Sequence, residues 1–385
     1  MSADTESAGK YLQQIPELKY ILFIFFSTRI VLIIIGVLSR NLFLQEYSYQ
    51  SNSMAPLSWL DVWGAWDTGW YLDISQNGYS TIQNQIHQTN IAFFPLYPTL
   101  MRLIGSVIGN HYIAGLIISN FCLLIACIYL YRLVKLDFDE TSAVKSIKYL
   151  LIFPVSFILS GVFSESLYLA LILMCFYYAR KEKWHLVGIS GFFLSLTRSV
   201  GVLVVLPLLC EILIPLLKEK KSIISLKSLK EIRTPLSYLL LIPFGTVSFM
   251  IYNYHVTGDF LAYMHAQAMW QRHLSNPLEV LIHAFSGNIF ISFEAAFTLI
   301  FLFVFIIFYK KMRFSYWLFC MYSIFVPLST GIMSMPRYIL VIFPLYILFA
   351  DITKNRISED VLTLVFCLFQ GFLMLFWTNG YRLVM

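Results

Sequence analysis

The chain has 385 residues, of which 59% are hydrophobic and only 12% charged, with a formal net charge of +6. Soluble domains carry about 25% charged residues, so an ordinary soluble fold is excluded. The Lys and Arg residues stand in short clusters between apolar runs, the pattern of cytoplasmic loops, so the positive excess does not point to nucleic acid.

Phe (34) and Tyr (24) are abundant enough to furnish aromatic belts at two membrane interfaces. With lipid covering the outside, one helical bundle over residues 1–385 needs no separate core. The expected fold is an all-α polytopic membrane protein of a single domain.

The first apolar run, roughly Tyr20 to Leu38, is too long for a signal-peptide core and lacks a small-residue cleavage site, so it reads as a retained first span. Arg29 lies in its middle. Further runs follow at roughly 112–134, 147–162, 166–180, 184–198, 200–217, 235–254, 287–309, 314–332, 338–350 and 361–378. With the first, about eleven transmembrane helices are expected.

Basic clusters lie at Lys135 with Lys145 and Lys148, at Arg180, Lys181 and Lys183, from Lys218 to Arg233, at Lys310, Lys311 and Arg313, and at Lys354 with Arg356. All fall on the cytoplasmic side if the N-terminus is cytoplasmic and Phe93 to Ile108 does not fully cross. That segment then lies along the interface or re-enters, and the first loop, roughly 40–110, faces outward. The six cysteines lie inside apolar segments without ligand-like spacing and read as buried thiols.

The outward loop is the densest in polar and aromatic groups. Trp59, Trp63, Trp66 and Trp70 recur at helical spacing, which predicts one interfacial helix with a tryptophan stripe. Asp67 borders that stripe and Asp61 lies nearly opposite. A carboxylate at such an edge is partly desolvated and suited to general-base chemistry; a water-facing acid on an amphipathic helix fits this segment equally. Pro95 and Pro98 argue against a regular helix around them.

Glu165, Arg198 and Arg337 stand at the ends of later spans, where ionisable groups are costly and usually paired or functional. Arg198 and Arg337 suit a phosphate, because guanidinium makes planar two-pronged contacts; snorkelling to headgroups is the plainer alternative. The 255–286 loop holds His255, His265, His273 and His283. His265 and Gln267 could hold sugar hydroxyls and Trp270 could stack on a sugar face. No Cys or acid completes a tight zinc set there. Asp137-Phe138-Asp139 matches the Asp-x-Asp pattern of metal-dependent sugar-nucleotide transferases, yet it sits in a basic loop and reads as solvated.

Taken in order, several tracts resemble the PIG-V-type mannosyltransferases, a family within the GT-C class of membrane glycosyltransferases. They are Trp66-Asp67-x-x-Trp70-Tyr71 with Gly78-Tyr79; Ala92 to Pro98 (AFFPLYP); Phe153 to Leu171; Thr197 to Gly201 (TRSVG); Thr257 to Gln267; Pro336-Arg337-Tyr338; and the Asn379-Gly380-Tyr381-Arg382 end. Modest length and short loops look more like the prokaryotic branch than the eukaryotic GPI-assembly enzyme.

The resemblance implies a GT-C-like bundle. It implies an inverting transfer of mannose or a related hexose from a polyprenyl- or dolichyl-phosphate donor to a glycan, glycolipid or protein acceptor. Chemistry would occur on the non-cytoplasmic face of a cell (inner) membrane, or of the ER membrane in a eukaryote. Asp67 is implied as the catalytic general base, with Asp61 and Glu165 next as catalytic or acceptor-binding groups. Arg198 and Arg337 would hold the donor phosphate. Sugar or lipid contacts fall to Trp66, Trp70, Tyr71, His265, Gln267, Trp270, Arg272 and Tyr338. No cofactor is implied, and a divalent metal need not be required. A transporter or flippase of lipid-linked sugars is the alternative, and a scaffold subunit a third; both leave the one-sided gathering of polar motifs without a purpose.

Overall fold

In a computed structural model, residues 16–43, 54–82, 88–218, 226–270 and 272–383 are described. Parts of the first loop (44–53, 83–87), Glu219 to Ser225 within the third basic cluster, and Gln271 lie outside them. The chain is 78% helical, with no strand among the described residues.

The α-helices in chain order are α1 (Pro16–Leu42), α2 (Thr68–Asn77), α3 (Leu96–Ile108), α4 (His111–Val134), α5 (Glu140–Ile152), α6 (Glu165–Arg180), α7 (Trp184–Ser195), α8 (Val205–Lys218) and α9 (Leu226–Leu239). They continue as α10 (Leu241–Thr257), α11 (Ala262–Ala268), α12 (Pro277–Ala284), α13 (Ile289–Ile307), α14 (Phe314–Leu328), α15 (Met335–Leu340), α16 (Pro344–Ile352) and α17 (Arg356–Thr378).

Among the described residues, six stretches are long and apolar enough to cross a bilayer: Leu18–Leu42, His111–Val134, Ser199–Leu217, Ile232–Thr257, Ile289–Ile307 and Arg356–Thr378. The other expected runs fold as shorter helices. Prolines account for two of the departures. The run at 147–162 stops as a helix at Ile152, because Pro154 cannot continue it, and a 3-10 turn at Ser156–Ser160 follows. The run at 338–350 divides into α15 and α16, with Pro344 opening the second helix.

Pro95 and Pro98 do not prevent a helix. They occupy the N-cap and first turn of α3, where the backbone N–H groups have no helical partner anyway. The 13 residues of α3 rise about 20 Å, short of the ~30 Å hydrocarbon core. Polar caps fix other helix starts: Asn110 accepts from Ile113 N–H at 2.9 Å and Asn355 from Ser358 N–H at 2.7 Å.

The tryptophan stripe does not form. Ser58–Trp63 is a 3-10 turn, the chain breaks at Gly64, and Trp66 takes a left-handed φ of 47° before α2 begins. The four indoles therefore share no helix face: Trp63 is buried and Trp59 exposed. The 3-10 turn sits on the ends of three helices instead. Trp377 Nε1 donates to Val62 O at 3.1 Å, and Tyr112 Oη donates to Leu60 O at 2.9 Å. Residue 161 must be glycine for a related reason: a Cβ there would lie 2.9 Å from the Trp63 carbonyl oxygen.

Irregular backbone from Phe153 to Ser164 lies buried in the bundle, where every polar group needs a protein partner. Arg29 supplies several. Its Nη2 donates to Leu151 O at 2.8 Å, and its Nη1 to Ser156 O at 3.2 Å and Ser160 Oγ at 3.0 Å. Gln370 donates to Leu151 O at 3.0 Å and Phe153 O at 3.3 Å. The cation thus meets the carbonyl end of α5, where the helix dipole is negative.

Charge is sorted between the two ends of the bundle. At one end Arg180 grips Asp137 through two nitrogens at 2.6 and 2.7 Å, and Lys311 meets Asp351 at 2.7 Å. Arg313 meets Glu211 at 3.0 Å, and Lys145 meets Glu359 at 2.7 Å, with Lys148 on the same carboxylate. The Asp-x-Asp pair is thereby explained structurally: Asp137 is an ion-pair partner, and Asp139 caps α5 by accepting from Ser142 N–H at 2.9 Å. The opposite ends of α6, α14 and α17 carry a different set of polar groups.

Candidate functional site

Three chain breaks build this second end. Trp66 turns the chain so that Asp67 stands at the N-cap of α2; the Phe153–Ser164 segment delivers Glu165 to the first position of α6; and a left-handed Ser334 starts α15, which carries Arg337. Their side chains form one line of alternating charge. Arg337 Nη1 lies 2.7 Å from Asp67 Oδ2, and Arg337 Nε lies 2.8 Å from Glu165 Oε1. Arg198 Nη1 approaches that same Glu165 oxygen at 3.2 Å.

Access differs along the line. The Glu165 side chain is 0% exposed and that of Arg337 5%, whereas Asp67 retains 16% and Arg198 12%. The two ends of the line are reachable and its middle is sealed. Glu165 is consequently an anchor held by two guanidinium groups, and breaking so buried a pairing costs about 3–5 kcal/mol. Arg198 Nη1 meets Glu165 as an ion pair without a hydrogen bond.

Aromatic rings pave the neighbourhood. Arg198 stands 4.7 Å over the Tyr338 ring and Arg337 4.7 Å over Phe163, at cation–π range. Arg272 lies 6.0 Å from Tyr338 and donates to Met333 O at 3.2 Å. Arg382, near the C-terminus, lies 5.4 Å over Trp66. Trp70 packs between Phe93 at 5.9 Å and Trp270 at 5.5 Å.

Of the residues singled out from sequence, Asp67, Glu165, Arg198 and Arg337 come together, with Trp66, Tyr338 and Arg272 around them and Trp70 and Trp270 beside. Gln267 is engaged in local structure, donating to Ala92 O at 3.3 Å. Tyr71 is buried in the core, donating to Ser164 Oγ at 2.9 Å.

Asp61 does not join the line. It pairs with Arg40 at 3.3 Å and accepts from the backbone N–H groups of Met54 at 3.0 Å and Ala55 at 2.8 Å, a fully structural set of partners. Asp73 is likewise committed to Asn90 at 2.7 Å. His265 points away to an exposed pair with Asp259 at 2.6 Å. Hydrogen bonds from the Leu261 N–H and from His265 hold that Asp259 carboxyl below the usual range.

One contributor escaped attention in the sequence. Glu294 is 2% exposed in the first turns of α13 and accepts from Ser334 N–H at 3.1 Å. Its signal was present as the one acid in an otherwise apolar 19-residue helix. Arg382 belongs to the C-terminal tract already singled out, but its partner Trp66 is set by the tertiary fold alone.

Among the described residues, no group of three or more His, Cys, Asp or Glu side chains is placed to hold a metal ion. A cleft of about 290 Å³ opens two turns along α2, between Tyr79, Pro95, Leu196, Phe249 and Tyr252. No family model matches the chain, and no curated protein matches it.

Proposed function

We propose that this chain is a membrane-embedded, inverting glycosyltransferase of GT-C type, moving mannose or a related hexose from a polyprenyl- or dolichyl-phosphate donor to an acceptor hydroxyl. The observation that carries the proposal is the reachability of Asp67 at the end of an otherwise sealed acid–arginine line. Arg337 orients this carboxylate without covering it.

In the proposed step the acceptor oxygen bonds to the anomeric carbon as its proton passes to Asp67. The bond from that carbon to the phosphate oxygen breaks, and its electron pair leaves with the lipid phosphate. A retaining route would need a second carboxylate as nucleophile. Glu165, the other acid of the line, is sealed between two arginines, which favours a single displacement.

The anion site of this proposal is Arg198 with Arg272, both within cation–π range of the Tyr338 ring. Arg337 already serves two carboxylates and is 5% exposed, whereas Arg198 retains 12% exposure. Fixed guanidinium groups stabilise charge growing on a departing phosphate. Trp70, Phe93 and Trp270 would supply the apolar wall against which a sugar face rests. The acid–arginine line lies at the end of the bundle away from Lys145, Lys148, Lys311 and Arg313, so positive-inside orientation puts it on the non-cytoplasmic face. About eleven crossings follow if the shorter apolar helices complete spans beside the six long ones.

The test is donor consumption by purified protein in detergent, using radiolabelled polyprenyl-phosphate mannose with wild type and Asp67→Asn. Turnover or slow hydrolysis by wild type alone supports both the activity and the base. Equal consumption by the two removes Asp67 as base. Donor binding with no consumption by either favours the transport of lipid-linked sugars instead.

A further inference from the structure

A six-residue helix does not sustain itself, because nucleating a turn fixes several residues for a single hydrogen bond. The helix α15 nonetheless carries both Arg337 and Tyr338. It begins at Ser334, which is not glycine yet holds a left-handed φ of 69°, immediately after Gly331-Ile332-Met333. Such a conformation is strained and persists only where its surroundings impose it.

The Ser334 carbonyl accepts from Arg337 N–H at 3.0 Å and from Tyr338 N–H at 3.3 Å. Its own N–H is taken by Glu294 Oε1 at 3.1 Å from the neighbouring α13. The first turn of the helix that carries Arg337 thus rests on one serine whose donor is bonded to a buried carboxyl. Glu294 is an isolated acid in an apolar helix, and a carboxyl so placed is costly without a purpose.

We propose that Glu294 is a positioning residue for Arg337: by holding the Ser334 turn, it sets the guanidinium between Asp67 and Glu165. Glu294 acts through backbone and touches no reacting group. The proposal concerns the acid–arginine line itself, so it stands apart from the glycosyl-transfer reading, and its test uses no substrate.

The test is a double-mutant cycle on Asp67→Asn and Arg337→Lys, read as melting midpoints of purified protein in detergent. Residues in direct contact give non-additive shifts. Three backgrounds are compared: wild type, Glu294→Gln (which keeps an acceptor oxygen) and Glu294→Leu (which does not). The expected result is non-additivity in the first two and additive shifts in Glu294→Leu. Ser334→Gly added to Glu294→Leu should recover part of the non-additivity, since glycine takes a left-handed φ without strain. This double variant also serves if Glu294→Leu alone does not fold.

Undiminished coupling in Glu294→Leu, with only a general fall in melting, would mean that Glu294 is mere packing and would overturn the proposal. So would loss of coupling in Glu294→Gln as complete as in Glu294→Leu, because the acceptor geometry would then be irrelevant.

Discussion

The carboxylate of Asp67 lies 2.7 Å from Nη1 of Arg337, and the same guanidinium reaches Glu165 through Nε at 2.8 Å. One arginine therefore joins an accessible acid to a sealed one. The two acids have different roles for that reason, and mutation should separate them.

Asp67→Asn should leave the fold intact, because Arg337 keeps Glu165 and the asparagine oxygen can still accept. Donor consumption should fall about 100-fold to 10,000-fold, the usual range for a lost general base. Rates per folded molecule, measured beside melting midpoints, check both halves.

Glu165→Gln should fail by a different route. It leaves the sealed Arg337 charged without the carboxylate it shares with Arg198, at about 3–5 kcal/mol. Low yield and a lowered melting midpoint in detergent are expected. A Glu165→Gln protein as stable as wild type would refute the anchor role.

Arg272→Ala should spare stability, since Arg272 makes one backbone hydrogen bond at the rim. Its proposed partner is the donor phosphate. The expected effect is a KM for donor raised about tenfold, equivalent to ~1.4 kcal/mol, with kcat less affected. Steady-state kinetics over a donor series would measure the split.

Arg29→Leu removes hydrogen bonds from a charged donor to Leu151, Ser156 and Ser160. Charged hydrogen bonds contribute about 1.5–3 kcal/mol, so a loss of at least ~2 kcal/mol is expected. Because these bonds brace the segment leading to Glu165, the variant should also be more readily cleaved by protease near Phe153 to Ser164, as limited proteolysis would show.

The hydrogen bond from Arg180 holds the Asp137 carboxyl below its usual range. A carboxyl depressed in the folded state contributes stability above its unfolded pKa of about 4, and that contribution is lost as pH falls through the folded value. The contribution of this pair should therefore be constant near neutral pH and fade on acidification. Melting curves of wild type and Asp137→Asn should converge below about pH 4.

Much of the site was legible because its residues violate the rule of their surroundings. Arg29, Glu165, Arg198 and Arg337 are ionisable groups at or within apolar runs, where isolated charge is expensive, so each announced a partner or a purpose. Which partner was not legible. Arg29 meets carbonyls rather than an acid, and Arg337 meets both Asp67 and Glu165. The tryptophan spacing misled because Gly64 and the left-handed Trp66 break the helix that the period implies.

By itself the sequence determined the membrane-spanning helical class, since lipid tolerates only backbone that satisfies its own hydrogen bonds, and long apolar runs record that constraint directly. It did not foresee that Pro154 and Pro344 divide two of the apolar runs expected to span. The tertiary structure alone decided which charges meet. Asp61 and Asp67 are six residues apart by number, yet one is consumed by Arg40 and backbone amides while the other stays reachable beside Arg337. Pairing across a bundle depends on how helices cross and on where irregular backbone turns. Those positions follow from packing among residues distant in the chain, which no local period encodes.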